Sequence, residues 1–177
     1  MQADLCAGTR RPAESGMMAT RRQPDPSVLL RNGEVDDLDA VMSIMRSAFS
    51  PSFGEAWTRS QCAGILPMSG VSLTIAECEN GPCGFSLVRA VADEAELLLL
   101  AVDADEQRRG IGQALLDHFI DEARGRGARK LHLEVRDGNI AMGLYRAAGF
   151  LPAGRRRNYY HGPGGETFDA VTLMLAD

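Results

Sequence analysis

The chain has 177 residues, 45% of them hydrophobic and 24% charged, as expected of one soluble globular domain with a sizeable core. Its net charge of −5 and sequence pI near 5.2 argue against nucleic-acid binding through a broad basic surface, and suit a basic or neutral substrate. The cysteines Cys6, Cys62, Cys78 and Cys83 show neither the CxxC spacing of a zinc site nor the density of a disulfide-stapled domain. They are expected to be free thiols in a reducing cytoplasm. The longest apolar run, residues 97–102, is six residues, against the ~20 that span a bilayer, so no membrane-spanning segment and no membrane partner are expected.

Residues 1–27 hold Arg10, Arg11, Arg21 and Arg22 and little periodic apolar pattern, so they read as a disordered tail ahead of one domain at 28–177. No apolar stretch followed by a small-residue cleavage site marks a secretory signal. Met17 and Met18 stand where an alternative start would fall.

A short strand at 28–31 ends in the turn Asn32-Gly33. A helix follows, capped by Asp36, with Leu38, Val41, Met42, Met45 and Phe49 on one face, and Ser50-Pro51 ends it. A shorter helix is expected over 57–65. Residues 71–78 and 83–90 read as strands joined by Glu79-Asn80-Gly81-Pro82, where Asn-Gly supplies the positive φ values of a hairpin turn. The continuous apolar run at 96–102 suits a strand covered on both faces at the centre of the sheet. The stripe Ile111, Leu115, Leu116, Phe119, Ile120 and Ala123 predicts a long amphipathic helix over 110–127, stopped by Gly125 and Gly127. Residues 130–136 alternate, with Leu131, Leu133 and Val135 on one face and His132, Glu134 and Arg136 on the other. A helix over 139–148 and strands near 150–153 and 168–175 complete a mixed α/β order, in which antiparallel hairpins flank a strand–helix–parallel-strand unit.

The turn Gln107-Arg108-Arg109-Gly110-Ile111-Gly112 lies between a buried strand and the start of the long helix, where unpaired N–H groups and the helix dipole favour a pyrophosphate. Gly110 and Gly112 let phosphate oxygens approach the main chain, and Arg108 and Arg109 add charge at the rim. The turn lacks the Gly-Lys-Ser/Thr ending of a Walker loop and the spacing of a dinucleotide fingerprint. Alone, such a turn is also compatible with a plain tight connection.

In this context, residues 28–177 resemble the GNAT superfamily of acetyltransferases, whose Q/R-x-x-G-x-G/A loop matches Gln107 to Gly112. The resemblance extends to Leu133-Glu134-Val135-Arg136, Asn139, Leu144-Tyr145, Ala148-Gly149-Phe150 and Arg156-Arg157-Asn158-Tyr159-Tyr160. Within the superfamily it is strongest with the RimI-type ribosomal-protein-alanine N-acetyltransferases. It implies the acyl-CoA N-acyltransferase fold, a mixed, mostly antiparallel α/β (α+β) sheet with a splayed central parallel pair flanked by helices. It further implies acetyl-CoA as co-substrate, no metal, and the N-terminal alanine of a small-subunit ribosomal protein as acceptor.

An α-amine with a reference pKa of about 7.7 to 8.0 is largely protonated at neutral pH, so a base must free it before it attacks a thioester. The resemblance assigns that base to Glu134 and the acid that protonates the departing thiolate to Tyr145. It places the acetyl and pantetheine groups against Leu100, Ala101 and Val102, with an amide near Val102 on the oxyanion and Asn139 on the cofactor side. Asn139 and Tyr145 stand six apart, one step short of the spacing usual in RimI-type chains, and on a helix that step is ~100°. A small-amine acceptor, another protein N-terminus, or a catalytically silent acyl-CoA-binding module would share most of these motifs.

Overall fold

A computed structural model describes residues 28–175, so the tail expected over 1–27 lies outside the described residues. The strands are β1 (Leu29–Gly33), β2 (Val71–Cys78), β3 (Gly81–Val91), β4 (Glu94–Val102), β5 (Lys130–Arg136), β6 (Leu151–His161) and β7 (Thr167–Leu175). The helices are α1 (Leu38–Ala48), α2 (Arg59–Ile65), α3 (Ile111–Gly125) and α4 (Met142–Ala147). All seven strands form one sheet in the order β1-β2-β3-β4-β5-β7-β6.

Every pairing in the sheet is antiparallel except that of β4 with β5. Those two run parallel in register from Glu94↔Lys130 to Leu97↔Leu133. β4 then continues to Val102 and β5 to Arg136, so the strands part and leave the sheet open at its centre. This is the expected splay.

The sheet is covered on both faces. On one, Leu38, Val41, Ile44 and Met45 of α1 bury against Leu73, Ile75, Phe85, Leu87, Leu99 and Ala101. On the other, Leu116, Phe119 and Ala123 of α3 meet Leu97, Leu131, Leu133, Tyr145 and Phe150. β3 shows how one strand serves both: Phe85 points into the α1 layer, while a Cβ on the adjacent Gly84 would lie 3.2 Å from Ile111 and Leu115 of α3.

Several elements depart from the sequence reading, each for a local reason. Asp37, not Asp36, precedes α1; its carboxylate accepts from Glu34 N at 2.8 Å and from Arg31 Nη2 at 2.7 Å. α2 starts at Arg59, because Thr58 and Gln61 form a reciprocal capping box that leaves Trp57 in the loop. In the β2–β3 hairpin Cys78 pairs with Gly81, and of Asn80 and Gly81 only Gly81 has positive φ, at 106°. β4 alternates between buried and half-buried residues instead of being buried throughout.

α4 begins three residues later than Asn139, because the Asn139 side chain accepts from Ala141 N at 2.8 Å and forms a turn. β6 is much longer than expected: it is the sheet edge, and ten of its eleven residues are exposed, so it carries no hydrophobic alternation. The cysteine reading is corrected as well. Cys78 and Cys83 are joined as a disulfide, their Cα atoms 5.9 Å apart where the register shift after Ala76 sets them side by side, whereas Cys62 is a free, buried thiol.

Candidate active site

The opening between β4 and β5 continues into a cavity of about 730 Å³, within the range of small-molecule sites. At one end lies the turn into α3; at the other lie the α1–α2 loop and the exposed strand β6.

At the α3 end, two residues in the left-handed region bend the turn, Arg108 at φ 64° and Gly110 at φ 84°. Non-glycine residues rarely adopt that region. Gly110 immediately precedes α3, where the first amides of the helix have no intrahelical acceptor. A Cβ on Gly112 would stand 3.5 to 3.8 Å from Leu144, Val102 and Leu100, in ordinary contact with the three side chains that line the passage. A helix N-terminus opening onto an apolar passage fits a coenzyme A pyrophosphate followed by its pantetheine arm.

The β4 main chain contributes donors to the same passage. Asp103 N donates to Cys83 O of β3 at 2.9 Å. Strand alternation then turns the Ala101 and Leu99 amides toward β3 and the Val102 and Leu100 amides toward the gap. Gln107 Nε2 donates to Val102 O at 3.2 Å, tying the turn to the strand end.

Of the expected cofactor residues, Leu100, Ala101, Val102, Gln107, Arg108, Gly110, Gly112 and Asn139 line the cavity. Arg109 and Ile111 do not. Arg109 pairs with Glu106, and the Ile111 side chain is buried with Ala76, Cys83 and Leu115, so Ile111 can serve a ligand only through its backbone.

At the opposite end, Glu134 and Tyr145 both line the cavity. Glu134 leaves the polar face of β5 and accepts from Arg156 Nη1 of β6 at 2.9 and 3.0 Å. The Arg156 guanidinium also lies 4.6 Å from the Tyr159 ring centre. Tyr145 is only 6% exposed, its ring edge-on to Phe150 at 6.3 Å between centroids. Burial first, and then the charge of Glu55, push the Tyr145 phenol up from its ordinary value. Tyr160 is pushed up by the same two causes in the same order, and Tyr159 by burial and then by Glu134.

Sequence reasoning missed Glu55. Its side chain is 8% exposed, accepts from Asn139 Nδ2 at 2.7 Å and has Arg136 Nε at 3.1 Å. The Arg136 N–H is not aimed along that contact, so the pair is ionic without a well-formed hydrogen bond. Phe53 and Trp57, which also line this end, belong to the same loop. No motif marks the loop; the only local signal is Gly54, at φ 66°, where a Cβ would strike the His161 carbonyl at 2.1 Å.

The acetyltransferase (GNAT) family model matches residues 38–150, which contain the turn, both candidate catalytic side chains and all of the cavity lining except Tyr159 and Tyr160. The chain belongs to the acetyltransferase (GNAT) family. It is 46% identical over 99 residues to the [ribosomal protein bS18]-alanine N-acetyltransferase of Escherichia coli K12, a match covering 55% of this chain and 66% of that protein, just under two thirds. With the enzyme of the same name from Haemophilus influenzae it is 32% identical over 142 residues, covering 75% of this chain and 97% of the other. The crystal structure of the Escherichia coli ribosomal-protein-S18-alanine N-acetyltransferase superposes with a TM-score of 0.76 at 35% identity, over 84% of this chain and 93% of that one. The GNAT fold thus accounts for the mostly antiparallel sheet with its single parallel, splayed pair. Among the described residues no helix is long and apolar enough to cross a membrane.

Proposed function

We propose that this protein transfers acetyl from acetyl-CoA to the α-amine of the N-terminal alanine of ribosomal protein S18. The observation that carries the proposal is the continuity of one cavity from the α3 N-terminus, through the β4–β5 gap, to Glu134 and Tyr145. Similarity to enzymes named for that acceptor supports the choice of substrate.

Acetyl-CoA supplies the acetyl group as a thioester; the chain's own residues do the rest. The amides that open α3 and the Gln107 to Gly112 turn hold the pyrophosphate. Leu100, Ala101 and Val102 line the acyl end. Glu134 takes a proton from the α-ammonium, and the freed amine forms the new C–N bond at the thioester carbon. The gap-facing amides of Val102 and Leu100 meet the negative charge that develops on the carbonyl oxygen. As the C–S bond breaks, Tyr145 gives its proton to the departing sulfur, and the second proton left on the acetylated nitrogen returns to the Tyr145 phenolate, leaving the neutral amide and the thiol. Because both its burial and its neighbour's charge favour the neutral phenol, Tyr145 keeps that proton through the neutral range.

Glu134 must exchange Arg156 for the amine when the acceptor enters. The Arg156 side chain is 58% exposed on the edge strand, and such surface pairs are worth only ~0 to 1 kcal/mol, so the exchange is inexpensive.

The test is coenzyme A release from acetyl-CoA with a peptide that begins with alanine and continues as the S18 N-terminus, beside the same peptide blocked at its α-amine. Turnover of the free peptide alone, lost in Glu134→Gln with acetyl-CoA affinity kept, is the expected result. Tight acetyl-CoA binding with turnover of neither peptide would exclude this acceptor.

A further inference from the structure

Glu55 is an ionisable group lining the cavity for which the reaction above has no use. Its two oxygens are engaged by groups from two other parts of the chain. Asn139 Nδ2 donates to Oε1 at 2.7 Å from the turn ahead of α4, and Arg136 Nε stands 3.1 Å from Oε2 at the end of β5. Asn139 uses its remaining oxygen to accept from Ala141 N at 2.8 Å, at the residue just before α4. The Arg136 guanidinium is stacked in turn on Phe53 at 3.8 Å and lies 5.8 Å from Phe168, and those two rings meet edge-on at 5.3 Å. Gly54, the residue before Glu55, is seated directly against the His161 carbonyl at the end of β6.

A largely buried carboxylate depends on partners that satisfy its oxygens. Glu55 therefore closes a circuit joining the α1–α2 loop, the β5 end, the α4 start and the β6–β7 hairpin. The first three of those segments, and Tyr159 and Tyr160 of β6, line the cavity. We infer that Glu55 is a positioning residue for the acceptor end of the site, fixing the α1–α2 loop and the start of α4, and through them the places of Trp57 and Tyr145. This rests on the acetyl-transfer reading above, but its structural half does not depend on which amine is acetylated.

Trp57 is the only tryptophan of the chain and lines the cavity two residues from Glu55, so its fluorescence reports the loop without any turnover. The experiment compares wild type, Glu55→Gln, Asn139→Ala and the double variant. It measures acrylamide quenching of Trp57, acetyl-CoA Kd by calorimetry, Tm, and kcat and KM with the alanine peptide. In Glu55→Gln, quenching should rise at least about two-fold and kcat/KM fall at least about ten-fold, with the acetyl-CoA Kd within about two-fold of wild type. Asn139→Ala should move the same readouts the same way. The double variant should be no worse than Glu55→Gln, as residues sharing one bond behave non-additively.

Unchanged quenching and kcat/KM in Glu55→Gln would overturn the inference. So would a parallel loss of Tm and acetyl-CoA affinity, which marks a general brace of the fold, and so would additive effects in the double variant. If wild type turns over no peptide, the acceptor assignment falls, while the quenching arm still decides the role of Glu55.

Discussion

Replacing Tyr145 with phenylalanine separates chemistry from packing unusually well at this site. The ring belongs to the core and packs edge-on to Phe150, and phenylalanine keeps all of that area. Only burial and the charge of Glu55 act on the hydroxyl, with no hydrogen bond among the causes, so removing it orphans no partner. The stability change should therefore stay within ~0.5 kcal/mol, the range of substitutions that disturb no buried partner. At this chain length that is ~1 to 2 °C in Tm. The catalytic loss is of another size. General acid catalysis is worth ~10² to 10⁴-fold, and a thiolate whose conjugate acid has a pKa near that of cysteine, ~8.5, is already a fair leaving group. The low end applies, ~10²-fold in kcat, or ~2.7 kcal/mol of barrier. Steady-state release of coenzyme A, with calorimetry for acetyl-CoA and a thermal melt, reads all three quantities. A kcat within about three-fold of wild type would refute the assignment of Tyr145 as the acid, and a ten-fold loss accompanied by an equal loss of acetyl-CoA affinity would refute the separation of roles.

Other substitutions probe the turn, the core and the acid limit of stability. Gly110→Ala puts a side chain on a residue at φ 84°, costing ~1 to 2 kcal/mol, and should raise the KM for acetyl-CoA more than that for the peptide. Phe85→Ala, at a fully buried position under α1, should lower stability by ~3 to 5 kcal/mol in a urea melt, with any surviving activity showing an unchanged KM for acetyl-CoA. The Arg31 guanidinium holds the Asp37 carboxyl below the usual carboxylate range, so its contribution is complete above the unfolded pKa of ~3.9. That contribution is lost as pH falls through the depressed folded value. Asp37→Asn should accordingly destabilise by ~0.2 to 1 kcal/mol near neutrality and by progressively less below pH ~4, as followed by urea melts across pH.

The parts of the molecule legible in its sequence are those whose structure is dictated locally. α3 announces itself by a stripe at helical spacing, β5 by strict alternation, and the turn between β4 and α3 by glycines at positions that need them. The alternation puts Glu134 on the polar face of β5 and the glycines mark the turn, whereas the roles given to Glu134 and Tyr145 come from the family resemblance and not from local pattern. Glu55 could not: its role comes from Arg136 and Asn139, 81 and 84 positions further on, and nothing near it in the chain foretells that meeting. The length of β6 was hidden for the opposite reason, since an edge strand exposed along nearly its whole length has no buried face to impose a period. The Cys78–Cys83 bridge depended on a register shift after Ala76, and register is invisible in composition.

The six-residue step from Asn139 to Tyr145 shows how a rule of spacing can give way to geometry. Had both residues lain on one helix, the missing position would have turned one of them ~100° away from the other. In the fold α4 does not begin until Met142, and Asn139 caps the turn ahead of it through Ala141 N. The turn absorbs the shortening, so Tyr145 keeps its buried place against Phe150 while Asn139 reaches Glu55 of the α1–α2 loop. In this chain the Asn139 side chain is engaged by Glu55 and by Ala141 N. Restoring one residue between Asn139 and Met142 should lengthen the turn and carry Asn139 away from Glu55. The expected result is a rise in Trp57 quenching with acetyl-CoA affinity unchanged, and a fall in acetyl-CoA affinity instead would return Asn139 to the cofactor.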